Sequence, residues 1–490
     1  MNLRQVALRG GVINLIAQAV NASLRILVIV VFAHLLDPED FGIMAMVTAT
    51  FGILTLFKDM GLSAATVQRG NVTDEQLSAM FWINTGVGAL LALITLLSSW
   101  AVAAFYRESR LVELTAAFSL TFIVSAIGIQ HGALMQRQMR FPALAFVDTS
   151  SLLGGILIGL GSAYAGAGYW SLLTMELGRV SLNSILLWAL SGWRPGMPRK
   201  ASGMRSLLMT GGIVTTNGIV MHLANNLDKL LLGRFFGAEV VGLYSRAQTL
   251  ANFPTDVINS AVGRVLLSTF SRVKSDLEQV RSFFMMAYRL LVSVTVPVAC
   301  AMAFLAEDIV GLLLGDKWMS AAPIFRWLMP GVLAFTLLSP FYQLLLALDL
   351  TARSLRMALA IGPIMIVSYV IGMQWGALGS AIGLSVGLVA WFVPHLAWTV
   401  HGTPVTLRES LKAVGLPLLA SAAAGASGLM ALSTWGEGDS HGMRLLLALP
   451  IFTAVYAFLL LVVMGQWRLF RSVFQILLSR RSTTTATTES

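Results

Sequence analysis

Apolar runs long enough to cross a bilayer follow one another along almost the whole chain, beginning at Val12. A spanning helix needs about 20 apolar residues. Inside hydrocarbon its backbone groups must hydrogen-bond within the segment. Hydrophobic residues make up 57% of the sequence and charged residues 11%, and mean hydropathy is +0.78. The spacing predicts fourteen spans: 12–36, 42–66, 79–105, 112–136, 142–165, 168–191, 207–235, 240–265, 284–305, 320–347, 356–375, 378–400, 410–432 and 444–466. This leaves no room for a soluble domain of ordinary size. The expected fold is all-α, a polytopic membrane bundle. The first run is too long for a signal peptide and lacks an A-x-A cleavage site, so it reads as the first span.

The net charge of +10 follows from topology and does not call for nucleic acid. With the N-terminus in the cytoplasm, the inner segments collect Arg69, Arg137, Arg140, Arg194, Arg199, Lys200, Arg272, Lys274, Arg353, Arg408, Arg468 and Arg481 among others. The outer loops hold only Arg107, Arg110, Lys317 and Arg444. That asymmetry is the positive-inside rule, and it places both termini in the cytoplasm. Anionic lipid head groups add to the pull on the inner charges.

The longest basic, Pro- and Gly-bearing inner loop is Gly192–Ser206. It divides the first twelve spans into two six-helix lobes, 1–191 and 207–401, with 192–206 as the link. Two further spans occupy 402–466, and a basic cytoplasmic tail occupies 467–490. Sliding the second lobe by 200 positions aligns Phe32–Gly42 (FAHLLDPEDFG) with Leu232–Gly242 (LGRFFGAEVVG), so that Glu39 meets Glu239 and Gly42 meets Gly242. Each segment closes a span, crosses a short outer turn and opens the next. Parallel repeats of this kind occur in transporters with cargo between the halves.

Charges inside spans cost roughly 2.5–3.5 kcal/mol on insertion scales and mark polar cavities. Arg25 lies mid-span, far from either interface. Its guanidinium can grip a phosphate bidentately at any pH, or pair structurally with a carboxylate. Arg246 and Arg326 lie in later spans and are further candidates for cargo contact. Asn225 and Asn226 can hydrogen-bond hydroxyls. Asp228 and Lys229 follow on the same helix; their side chains diverge by about 100°, so they pair poorly with each other. Asp228 lies at a depth similar to Arg25 and is a candidate gate partner for it. Lys58 and Asp59, late in the second span, suit a gate or inner mouth. Glu176 and Arg179, at i,i+3, read as a local ion pair, and Arg289 reads as snorkelling. Asp148 has no role assigned. The six histidines have no metal-ligand spacing, the single Cys300 cannot form an internal disulfide, and no phosphate loop, zinc motif or nucleophile elbow is present.

Five segments carry a family resemblance: Phe32–Ala45 (FAHLLDPEDFGIMA), Asp59–Gln68 (DMGLSAATVQ), Ala133–Phe141 (ALMQRQMRF), Asn225–Ala247 (NNLDKLLLGRFFGAEVVGLYSRA) and Gly315–Trp318 (GDKW). Together they resemble Wzx-type polysaccharide flippases, nearest the colanic-acid exporter branch. These flippases share a superfamily with multidrug-extrusion proteins and lipid II flippases. The resemblance implies two six-helix lobes plus two C-terminal helices and alternating access. The implied cargo is an undecaprenyl-diphosphate-linked oligosaccharide, carried across the bacterial inner membrane for exopolysaccharide, capsule or O-antigen synthesis. On that reading Arg25 and Arg246 hold the diphosphate, Asn225 and Asn226 the glycan, Arg326 is a further cargo contact, and Asp228, Lys229, Lys58 and Asp59 serve the gate. The chain is then a transporter and not an enzyme, with no cofactor. Its energy comes from an H+ or Na+ gradient or from removal of product, and its partners are membrane lipids, a polymerase and a chain-length regulator. Two rivals stand beside it. A drug or metabolite antiporter of the same fold would favour buried carboxylates over arginines. A membrane glycan polymerase or ligase would carry a large outer loop, which this chain lacks.

Overall fold

The computed structural model describes residues 3–58, 62–68, 72–197, 222, 226–273, 276–436 and 438–467. Asp59, Asn225, most of the seventh span, the basic part of the 192–206 link and the tail from 468 lie outside the described residues. The described residues form helices and no strands. Among them are eight helical stretches long and apolar enough to cross a membrane, and the shorter apolar helix Val20–Leu35. Long apolar side chains that water would drive inward stand on the outside, Leu157, Leu419 and Leu446 among them. Exposed apolar side chains on membrane-length helices are lipid-facing.

The chain divides into two compact units. The first comprises Met1–Arg246 with Leu313–Trp318, and the second Ala247–Leu312 with Met319–Ser490. In the first unit the helices are α1 (Leu3–Leu35), α2 (Pro38–Thr55), α3 (Leu62–Gln68), α4 (Asp74–Leu97), α5 (Ser99–Tyr106), α6 (Leu111–Phe118), α7 (Leu120–Arg137), α8 (Phe141–Tyr164), α9 (Trp170–Ser191), α10 (226–236) and the start of α11 (Ala238–Val273). Local chemistry sets the helix starts. Pro38 opens α2 at a position where its missing N–H costs nothing. Asp40 Oδ2 then accepts from the Asp37 N–H at 3.1 Å. Thr73 and Gln76 cap α4 reciprocally, each contact 3.2 Å. Helices α8 and α9 form a close pair because Gly155 and Gly159 bare one face of α8. A Cβ on Gly155 would lie 2.7 Å from Arg179 Cβ, and one on Gly159 2.6 Å from Met175 Cβ. Small residues four apart let membrane helices approach this closely.

The second unit holds the rest of α11, then α12 (Leu277–Phe304), α13 (Ala306–Leu314, whose last turn passes into the first unit), α14 (Ala321–Ala347), α15 (Thr351–Gly372), α16 (Gly376–Val400), α17 (Leu407–Trp435) and α18 (His441–Phe458). The last helix runs on through a π-helical turn, Leu459–Val463. Helix α16 packs on α14 and α15, and α17 packs on α12 and α18. Ser385 Oγ accepts the Gly331 N–H at 3.0 Å, and Tyr456 Oη donates to Ser293 O at 2.7 Å. Each bond satisfies a buried polar group across two helices.

Candidate substrate-contacting site

Three of the family segments meet at one end of the first unit. The turn between α1 and α2, the turn between α10 and α11, and Gly315–Trp318 form a single cluster. Trp318 is fully buried. Its indole N–H donates to Ala33 O at 2.9 Å, and its ring meets Phe41 edge-on with centroids 5.3 Å apart. Lys317 Nζ lies 3.1 Å from Asp37 Oδ1. Gly42 and Gly242 make the two helical turns fit. A Cβ on Gly42 would overlap the Ala238 carbonyl, and a Cβ on Gly242 would overlap the Pro38 carbonyl. Beside this cluster Arg110 bridges Glu39 and Glu108. The Arg110 hydrogen bond holds the Glu108 carboxyl below its ordinary range.

Two other segments pair elsewhere in the same unit. Arg137 donates to Thr66 O at 2.8 Å. Gln130, two turns earlier on α7, donates to Thr66 Oγ1 at 2.9 Å. The start of the 192–206 link is likewise tied down, with Gly196 N donating to Ser78 Oγ and Trp82 Nε1 donating to Gly196 O, both at 2.9 Å.

Two of the arginines singled out from sequence stand in the first unit without a carboxylate. Arg25 is exposed, yet it points roughly 150° round α1 from Val20 and Leu27, the exposed apolar stripe of that helix. Among the described residues it has no ion pair. Arg246 stacks over the Phe41 ring at 4.7 Å. Its Nε is buried without a hydrogen-bond partner among the described residues. A guanidinium held by an aromatic face keeps its N–H fork available for an anion.

Asp228 is buried. It lies 3.9 Å from Lys229 Nζ and accepts from the Lys229 backbone N–H at 2.7 Å. Divergence along the helix does not keep the two side chains apart, because the long lysine stem folds back. Lys229 Nζ also reaches Asn226 Oδ1 at 3.2 Å, and Asn226 Nδ2 donates to His222 O at 3.0 Å. These three expected residues therefore form one hydrogen-bonded chain on α10. Arg326 belongs to the second unit. There it donates to Ala303 O at 3.2 Å and pairs with Glu307 at 3.1 Å, bracing the α12–α13 junction. Lys58 sits in the turn after α2.

The docking of Trp318 and Lys317 onto the first turn was not evident from sequence. The only signal was that GDKW recurs with the other segments in the resemblance.

The polysaccharide biosynthesis protein family matches residues 31–323. The chain is similar to the lipopolysaccharide biosynthesis protein WzxC of Escherichia coli (strain K12), 26% identical over 432 residues that cover 86% of each chain. It is similar also to the teichuronic acid biosynthesis protein TuaB of Bacillus subtilis (strain 168), 28% identical over 425 residues, 82% of this chain and 84% of that one. Among solved structures, the lipid II flippase MurJ in an inward closed conformation superposes with a TM-score of 0.74 at 14% identity, covering 93% of this chain and 99% of that one. At that identity the likeness concerns the fold, and it agrees with the all-α membrane bundle expected from the apolar runs. The resemblance carried by the five segments holds: this chain is a multi-pass membrane protein of the polysaccharide biosynthesis protein family.

Proposed function

We propose that the protein is a flippase that carries undecaprenyl-diphosphate-linked oligosaccharide units across the bacterial inner membrane by alternating access, with both termini in the cytoplasm. The observation that carries this reading is the pair of guanidiniums, Arg25 and Arg246, left without carboxylate partners among the described residues of one unit. Uncompensated cations in a membrane protein are costly unless an anion visits them. A diphosphate is such an anion, and arginine matches it bidentately. The names of the relatives support the setting, since they place WzxC in lipopolysaccharide and TuaB in teichuronic acid biosynthesis.

In this reading Arg25 and Arg246 hold the diphosphate while the lipid tail stays in the bilayer. Asn225 and Asn226 face the glycan. Asp228 and Lys229 form a polar brace next to them, and Lys58 and Asp59 serve the inner mouth. Arg326, held by Glu307, meets cargo only after that pair opens. The protein is a transporter with no catalytic step. An H+ or Na+ gradient, or removal of product by a polymerase and chain-length regulator, supplies the direction.

The test is complementation of a deletion strain. Arg25→Ala should abolish surface polysaccharide with normal protein level in the membrane, and Arg25→Lys should restore it only in part, because an ammonium lacks the fork. Full export by Arg25→Ala would refute the assignment. Unchanged polysaccharide in the deletion strain itself would refute the function.

A further inference from the structure

Helices α1 and α8 carry exposed apolar residues on one side and polar residues on the other, and α9 exposes Ile185 opposite its polar residues. On α8 the stripe is Phe146, Leu153, Leu157 and Tyr164. Asp148 lies roughly 180° round the helix from it, on the same side as the buried Ser151, Gly155 and Gly159, and yet Asp148 is exposed. An exposed carboxylate within a span, on the side turned away from lipid, faces the bundle interior or water. On α9, Glu176, Arg179 and Asn183 follow one another at helical spacing, opposite the exposed Ile185. On α1, Arg25 shows the same pattern.

These three sets lie close in height. A Cβ on Gly168, in the α8–α9 turn, would lie 3.2 Å from Asp40 Oδ1, just past the α1–α2 turn. The two turns therefore share one end of the unit, and α1 and α8 run parallel. A Cβ on Gly159 would meet Phe32 Cζ at 3.0 Å, which fixes the register of α1 on α8. Counting from that level at 1.5 Å per residue, Arg25 is about 10 Å down, Ser151 about 12 Å and Asp148 about 16 Å. Asn183 is level with Ser151, because it contacts Ser151 directly.

The chemistry of the two levels differs. Arg25 offers a positive charge. Glu176 and Arg179 neutralise each other through a bidentate pair. Below them Asn183 Nδ2 faces Asp148 Oδ1 and Ser151 Oγ, each at 3.4 Å. Such long contacts are weak, so the amide donor and the carboxylate acceptor both keep spare capacity. A hydroxyl can lie beside the pair and bridge it, donating to Asp148 and accepting from Asn183. An anion would be repelled by Asp148, and a neutral polyol would not.

We propose that Asp148 and Asn183 form a glycan subsite within the first unit, supported by the buried Ser151, whose hydroxyl donates to the Asp148 carbonyl at 3.1 Å. It receives sugar hydroxyls of the cargo about one sugar ring from the phosphate held at Arg25. This rests on the flippase reading and adds to it the residues that read the sugar.

The test uses the full chain in lipid nanodiscs and two probes, undecaprenyl diphosphate and undecaprenyl diphosphate bearing a single hexose. The wild type should bind the glycosylated probe roughly tenfold more tightly, the worth of one hydrogen bond to a charged group. Asp148→Ala and Asn183→Ala should each abolish that difference while affinity for the bare carrier stays within about twofold. Asp148→Asn, which keeps the shape, should retain part of it. Should Asp148→Ala fail to fold, Asn183→Leu decides the matter. Discrimination that persists in these variants, or a wild type that binds both probes equally, would overturn the subsite. Intact discrimination combined with a lost Na+ or pH dependence of transport would make the cluster a cation site and equally overturn it. A wild type that binds neither probe would instead sink the flippase reading.

Discussion

Gly42 and Gly242 each sit against the other's hairpin, Gly42 facing the Ala238 carbonyl and Gly242 the Pro38 carbonyl. The same 200-residue shift that aligns the two glycines in sequence also aligns Pro38 with Ala238. The contact is thus reciprocal, as a local two-fold axis between repeated hairpins requires. A Cβ on Gly242 would also lie 3.1 Å from the backbone nitrogen of Gly42. The two backbones therefore leave no room for any side chain.

Gly42→Ala and Gly242→Ala should each be destabilising by about 1–3 kcal/mol, because the obstacle is backbone and cannot rotate away. The purified variants should melt lower than wild type in nanodiscs. Gly86 is the control, since a Cβ there meets nothing within 4 Å, and Gly86→Ala should leave the melting temperature unchanged or raise it. Equal behaviour of Gly42→Ala and Gly86→Ala would show that the hairpins can separate freely.

Trp318 and Lys317 are neighbours whose contributions differ by size and burial. Trp318 is fully buried with its N–H satisfied, and Trp318→Ala should cost about 3–5 kcal/mol. The Lys317–Asp37 pair is open to solvent, with side chains 37% and 76% exposed. A double-mutant cycle with Lys317→Met and Asp37→Asn should return a coupling below about 1 kcal/mol. A coupling several times larger would mean that the pair is shielded from water in the membrane-bound protein.

How far the sequence foretold this arrangement depends on the range of the interaction. Apolar runs and the Gly42–Gly242 alignment are local or periodic signals, and the described membrane-length helices and the contact between the two glycines follow them. The seat of Trp318 on Ala33 joins residues far apart in the chain, and no spacing rule encodes it. Asp148 and Asn183 are single polar residues in apolar helices, 35 positions apart, and nothing in their spacing foretells their contact at 3.4 Å. Arg25 and Asp228 have similar depth, but depth does not determine the direction of a side chain. Asp228 lies 3.9 Å from its near neighbour Lys229.

The Glu108–Arg110–Glu39 bridge lies outside the spans and gives a pH dependence. Arg110 favours the ionised Glu108 and lowers its pKa from the ordinary 4.5. A carboxyl depressed on folding stabilises the folded protein above its unfolded value, and that stabilisation fades as pH falls through the folded value. The wild type should therefore lose melting temperature below about pH 4.5 more steeply than Glu108→Gln, which has no proton to gain there. Parallel pH profiles for the two proteins would remove the bridge from the account.

Topology is testable on the helix ends. The positive charges beside Gln138 and Arg408 predict a cytoplasmic position for both, and the sparsely charged turns at Glu239 and Asp439 predict the opposite face. All four residues are exposed. In a Cys300→Ala background, Gln138→Cys and Arg408→Cys should react with a membrane-impermeant maleimide only after the cells are opened. Glu239→Cys and Asp439→Cys should react in cells whose inner membrane is intact. Glu239 is the informative site, because it adjoins the Gly42–Gly242 contact. Its labelling from outside would put the paired hairpins on the far side of the membrane from the basic link. Labelling of Gln138→Cys in intact cells would invert the whole arrangement, and with it the side from which cargo reaches Arg25.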